Sequence, residues 1–171
     1  MDRWPRPPRL PATLAAALLA LAVTSAARAQ HDHEHQHEPA HQHQSDAAAV
    51  AQMQLDGERK WPTDAPLRAG MAAIRAAFDT DHAAIHAGTE TEAQYATLAG
   101  TIEAAVNEII ANCRLPPAAD ANLHYAIADL MAGVARMRDT EPGADRHAGA
   151  ALVHGALQAY GRFFDDPAAA E

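Results

Sequence analysis

Aromatic side chains are scarce in this sequence: three Phe, three Tyr and two Trp make 5% of it, although 49% of its residues are hydrophobic and many of those are alanine. A β-sandwich needs more Val, Ile, Thr and aromatics, so the composition favours closely packed helices. No alternating strand pattern and no internal repeat is present. Positive charge is short as well, with 13 Lys and Arg against 22 Asp and Glu and a formal net charge of −9. Without a basic stripe to neutralise phosphates, the chain is not expected to bind nucleic acid. Cys113 is the one cysteine, so no disulfide can form within the chain. It is a small buried apolar residue, a thiolate ligand or a crosslink between two copies. Catalytic motifs are missing too. There is no G-x-S-x-G, no phosphate-cradling glycine loop, no H-E-x-x-H, no Glu-x-x-His of a di-iron bundle and no C-x-x-C-H of a c-type haem. These absences argue against an enzyme.

The longest apolar run lies at the start. Arg3, Arg6 and Arg9 precede the run Leu10 to Val23, and Ala27-Arg28-Ala29 follows as an A-x-A cleavage signal. That is the layout of a secretory signal peptide over residues 1–29, too short and wrongly flanked for a membrane span. No lipobox cysteine adjoins the cleavage signal, which points to the periplasm. Cleavage would remove four of the 13 basic residues and one of the 22 acidic ones, leaving a net charge of −12. No later stretch reaches spanning length, so the mature chain is expected not to cross a membrane.

Residues 30–45 read QHDHEHQHEPAHQHQS. His31, His33, His35, His37, His41 and His43 alternate with Asp, Glu and Gln, six histidines in thirteen residues with no apolar residue for a core. The segment is expected to be a disordered metal-binding tail. Imidazole suits copper, nickel and zinc. Intrinsic affinity puts copper first, with zinc or nickel as alternatives.

Residues 46–65 read as a connector, because Gly57, Pro62 and Pro66 break any long helix. From Pro66 a helical period takes over, with Thr63 or Asp64 as its cap. Leu67, Met71, Ile74, Phe78, His82 and Ile85 share one face until Gly88. Thr89 or Thr91 caps a second helix striped by Tyr95, Leu98, Ile102, Val106, Ile109 and Cys113. Pro116 and Pro117 open a third, with Leu123, Ile127, Leu130, Val134 and Met137 on its stripe and His124 and Met131 on its flank. After the turn Glu141-Pro142-Gly143, a fourth carries His147, Ala150, Val153 or His154, Leu157, Tyr160 and Phe164. Four amphipathic segments joined by short turns predict an all-α fold: an antiparallel up-down-up-down four-helix bundle over 66–167, with a disordered end at 168–171.

Two groups of ligand-bearing residues follow from that topology. Near the lower end, Cys113 and His124 lie about 7–8 Å apart along the bundle axis and lean toward each other. Met71 and His154 approach the same level, a soft set suited to copper. Near the upper end, His82 and His86 are spaced i, i+4, with His147 and Met137 at a matching height.

The runs TDAPLRAGMAAIRAAFD (63–79), IIANCRLPPAADANLHYAIADLMAG (109–133) and ALQAYGRFFDDP (156–167) resemble small exported proteobacterial proteins with His-rich starts, the DnrO-like proteins. The resemblance implies the same fold and export but no established activity. The topology is also similar to the four-helix periplasmic cytochromes, the soluble b-type protein and cytochrome c′. Met71 matches the early methionine of the b-type pattern, whereas His154 sits deeper in the last helix than that pattern's histidine, which disfavours haem. The sequence thus points to a non-enzymatic periplasmic metal binder, most simply a copper buffer, carrier or resistance accessory. The alternatives are an electron-transfer bundle with non-covalent haem or a copper–thiolate centre, and a metal-free module for a periplasmic protein partner. The oligomeric state is left open.

Overall fold

A computed structural model describes residues 48–169. The expected leader (1–29) and His-rich tail (30–45) lie outside the described residues. Those that are described form four α-helices and no strand: α1 Ala65–Ala87, α2 Glu92–Asn112, α3 Pro117–Met137 and α4 Arg146–Phe163. Short 3-10 turns stand before and after them, at Ala49–Gln52 and Pro167–Ala169.

Each helix begins and ends where its local chemistry dictates. The Asp64 carboxylate caps α1 by accepting the Leu67 N–H at 2.9 Å, with Pro66 in the first turn. Gly88 ends α1 in the left-handed region, φ 66°, which a residue without Cβ adopts freely. Thr91 and Gln94 close a reciprocal capping box on α2. Asp145 caps α4 through the Ala148 N–H at 2.8 Å.

The stripes expected from the helical period form one core, except that His82 and His147 are exposed and Ile127 and Cys113 are only half-buried. Met71, Ile74, Ile102, Leu130, Met137, Val153 and Tyr160 are wholly buried. On α4 the inward position is Val153, and His154 is exposed. Helices α1 and α2, α2 and α3, α3 and α4, and α1 and α4 pack against one another, most extensively α3 on α4 and least α1 on α4. Small residues explain the difference. Gly133 and Gly149 bring the α3 and α4 backbones together, and Gly70 receives Ile109 from α2. Among the described residues no such contact draws α1 toward α4, and that seam stays open.

The segment read as a connector is packed instead. Asp129, buried at 5% exposure on α3, accepts the N–H groups of Ala49 and Val50 at 2.8 and 2.9 Å. Met53 enters the core, and the Trp61 N–H donates to the Phe163 carbonyl at 2.8 Å. A connector was expected because Gly57 and Pro62 forbid a helix, yet they do not forbid an extended strap docked by its backbone. At the other end, Ala168 and Ala169 are likewise part of the structure rather than a loose terminus. The buried Asp166 carboxylate accepts the Tyr160 hydroxyl at 2.9 Å and the Ala168 N–H at 3.0 Å.

Asp64 also ties two elements together, since its second oxygen accepts the Arg114 N–H just beyond α2 at 2.6 Å. Burial works to raise its pKa, but the Arg114 and Leu67 N–H groups, the Cys113 thiol and Arg68 outweigh it and hold the carboxyl below its ordinary value. A depressed folded pKa gives stability that is present above the unfolded pKa and lost as pH falls through the folded one. Asp64→Ala is therefore expected to cost about 1–2 kcal/mol at neutral pH. The gap from the parent chain should shrink below about pH 4. Urea unfolding at pH 7 and pH 3 reads both.

Candidate metal centre

Helix α1 presents Phe78, His82 and His86 at successive i, i+4 positions along the open seam, and α4 presents His154 across it. The His154 ring stacks on Phe78, with centroids 5.5 Å apart and planes at 19°. His82 stands between the other two histidines, its ring centroid 6.0 Å from that of His154 and 6.2 Å from that of His86. All three histidines are exposed, while Phe78 beneath them is buried at 3%. The His82 and His154 rings thus rest on an apolar floor, and His154 Nε2 lies 3.3 Å from the side-chain nitrogen of Gln158.

Beside them the seam widens into a cleft of about 570 Å³, lined by His82, His154, Asp79, Lys60, Arg75 and Gln158 among others. Its lower wall is built by the strap and the chain end. The Lys60 ammonium donates to the Gly161 carbonyl at 2.7 Å, and the Arg75 guanidinium to the Ala168 carbonyl at 3.1 Å.

Ring nitrogens bind zinc or copper at about 2.0–2.1 Å, so two centroids sharing an ion lie about 5 Å apart at a tetrahedral angle and about 6 Å apart when nearly opposite. Among the described residues, no three His, Cys, Asp or Glu side chains already stand close enough to hold a metal ion. The trio is an open constellation. Bringing His82 to shared-ligand distance takes about 1 Å toward each of its two neighbours and the release of His154 from Gln158, within reach of rotamer adjustment by exposed side chains.

The structure regroups the residues singled out by sequence. His154 does not join Cys113. Cys113 lies against Asp64 at the start of α1, whereas His154 lies against Phe78, fourteen residues or about 21 Å further along that helix. Met71 is wholly buried in the core. His124 is exposed, and its Nδ1 lies 2.8 Å from the Asp120 carbonyl of its own helix. Met137 is buried against Gly149, and His147 lines a separate cleft of about 270 Å³ with Glu90, Tyr95 and Asp145. The two expected groups therefore give way to one trio that takes His82 and His86 from the upper group and His154 from the lower. The six tail histidines lie outside the described residues.

In that separate cleft, both Glu90 oxygens are buried and, among the described residues, meet no hydrogen-bond donor. Burial, then the nearby Asp81, raise the Glu90 pKa, and burial, Glu90 and Asp145 raise that of Tyr95.

Cys113 is poorly placed as a thiolate. Burial first, then the Asp64 carboxylate beside it and Asp120, push its pKa up to about 11 against the smaller opposing effect of Arg114. Relative to the usual value of 9.0, that leaves on the order of a hundredth of the ordinary thiolate at neutral pH. Alkylation by iodoacetamide at pH 8 is expected to run about a hundredfold slower than for a free cysteine, with Asp64→Ala restoring part of the rate. A haem ligated by Met71 and His154 does not fit either, because the first is sealed in the core and the second stands outside it.

Phe78 could have been marked as the floor from its place on the α1 stripe. Nothing local in the sequence marks Lys60 or Arg75 as cleft residues, since chain segments remote from α1 hold their head groups. No protein-family profile matches the chain, and no curated protein or solved structure matches it either.

Proposed function

We propose that this chain is an exported, periplasmic metal-binding protein, copper being the first candidate, that buffers or carries the ion without any bond-making step. The observation that carries the reading is the meeting of His82, His86 and His154 from two helices on one open seam, rings 6.0 and 6.2 Å apart. Neutral imidazole is a strong ligand for copper and a good one for zinc and nickel. Access from solvent suits loading and release. In this reading the six histidines of residues 31–43 capture metal loosely and raise its local concentration, and the helical domain holds one ion more specifically. The leader residues Arg3 to Ala29 support export. Among the described residues, no helix is long and apolar enough to cross a membrane.

The reading places the trio in an up-down-up-down antiparallel bundle. Pairing of Trp61, just before α1, with Phe164, just after α4, supports it. So does the shared cleft of Gly88, after α1, and Asp145, before α4.

The test uses the whole chain with all six tail histidines changed to glutamine, so that the tail no longer competes. Copper(II) is added and followed by electron paramagnetic resonance. About one equivalent bound with nitrogen hyperfine structure is expected, and the joint variant His82→Ala with His154→Ala should lose it. Binding that survives that pair, or no binding at all, would overturn the assignment to this seam.

A further inference from the structure

We propose that the α1–α4 seam takes its metal ion together with a small dianionic carboxylate chelator, which lies between the histidine trio and the Lys60 and Arg75 side chains. The inference rests on the metal-binding reading above and adds the chemical class of the ligand. The first argument is coordination. Three imidazoles leave at least one position of a tetragonal copper(II) ion unfilled. The second is space. A cleft of about 570 Å³ is far larger than an ion needs, and it lies alongside His82 and His154. A water occupies about 30 Å³, so a chelator of several heavy atoms fits with solvent to spare.

Charge makes the third argument and selects an anion. Lys60 and Arg75 line the same cleft as His82 and His154, and among the described residues neither forms an ion pair. Each is steadied by one carbonyl, Gly161 for Lys60 and Ala168 for Arg75, and each keeps further N–H donors free. The facing carboxylate is Asp79, so a bare divalent ion would enter a cleft that already carries a net positive charge. A dianion bound to the metal cancels that repulsion. Its outer oxygens then accept charge-assisted hydrogen bonds from the ammonium and the guanidinium. On a chain with a formal charge of −9, this is a local cationic spot next to a group of metal ligands.

Equilibrium dialysis with radiolabelled oxalate tests the proposal on the whole chain carrying the tail glutamines. With one equivalent of copper(II) present, about one oxalate per bound copper should be retained, and without copper very little. Arg75→Gln should weaken oxalate retention about tenfold, the scale of one solvent-screened charged hydrogen bond. Arg162→Gln, which lies outside the cleft, should leave it unchanged. Copper retained without oxalate would overturn this inference and leave the metal-binding reading standing, with Asp79 the candidate for the open position. Oxalate retained equally without copper would also overturn it, showing an anion site independent of metal. Retention of neither would remove both.

Discussion

Gly133→Ala is expected to destabilise the protein by about 2–3 kcal/mol, although alanine is the better helix former by about 1 kcal/mol. A Cβ at this position would lie 2.6 Å from the Gly149 carbonyl oxygen and 2.7 Å from Val153 Cγ2. Neither neighbour can yield cheaply. The first is backbone of α4, and the second is a β-branched side chain wholly buried in the core. Relief requires α3 and α4 to separate along their most extensive contact, which loosens packing well beyond the substituted residue. Gly155→Ala is the matching control, because a Cβ there meets nothing within 4 Å. That change should stabilise α4 by about 0.5–1 kcal/mol. Thermal unfolding of the two variants should therefore move in opposite directions, Gly133→Ala down by roughly 10 °C. A Gly133→Ala variant as stable as the parent would mean that the α3–α4 approach is looser than described.

The second large effect lies at Asp129. Its two oxygens accept the Ala49 and Val50 N–H groups, and the side chain is buried at 5% exposure. Hydrogen bonds to a charged acceptor contribute about 1.5–3 kcal/mol each, and truncation also opens a cavity. The two N–H groups recover part of that by turning to water once the strap lifts. Asp129→Ala is accordingly expected to cost about 2–3 kcal/mol and to release the strap ahead of the helices. Hydrogen exchange should accelerate at Ala49, Val50 and Gln54, the last held by Asn122 at 2.9 Å, while the centre of α2 keeps its protection. Equal acceleration everywhere would mean instead that the strap and the helices open as one unit. Lys60 reaches the cleft from this strap, so a freed strap should also weaken oxalate retention at the seam.

Four helices, the caps of the first two and most of the inward stripes were legible in the sequence. A 3.6-residue period, Asp64 and Thr91 ahead of it, Gly88 after α1 and the Pro116-Pro117 pair are local signals, and local backbone preferences answer to them. The composition of residues 30–45 carried the expectation of metal binding in the same direct way. The strap was misread because its order depends on a partner, Asp129, some eighty residues away. No propensity of Ala49 or Val50 announces that carboxylate.

The site shows the same division. The sequence by itself determined that His82 and His86 share one face of a helix, since a spacing of four residues places them there whatever surrounds it. It also placed His154 at a position flanking Val153. Which of the two turned inward was decided by packing, and the core took the valine because burying an imidazole without a hydrogen-bond partner is costly. Only the tertiary structure decided that His154 meets His82 rather than Cys113. Residue counts put His154 and Cys113 on one level, whereas the packed helices hold them about 21 Å apart along α1. Glycine contacts that draw α1 to α2 and α3 to α4 leave the α1–α4 seam open, and that gap gathers histidines from two helices with Lys60 and Arg75 beside them.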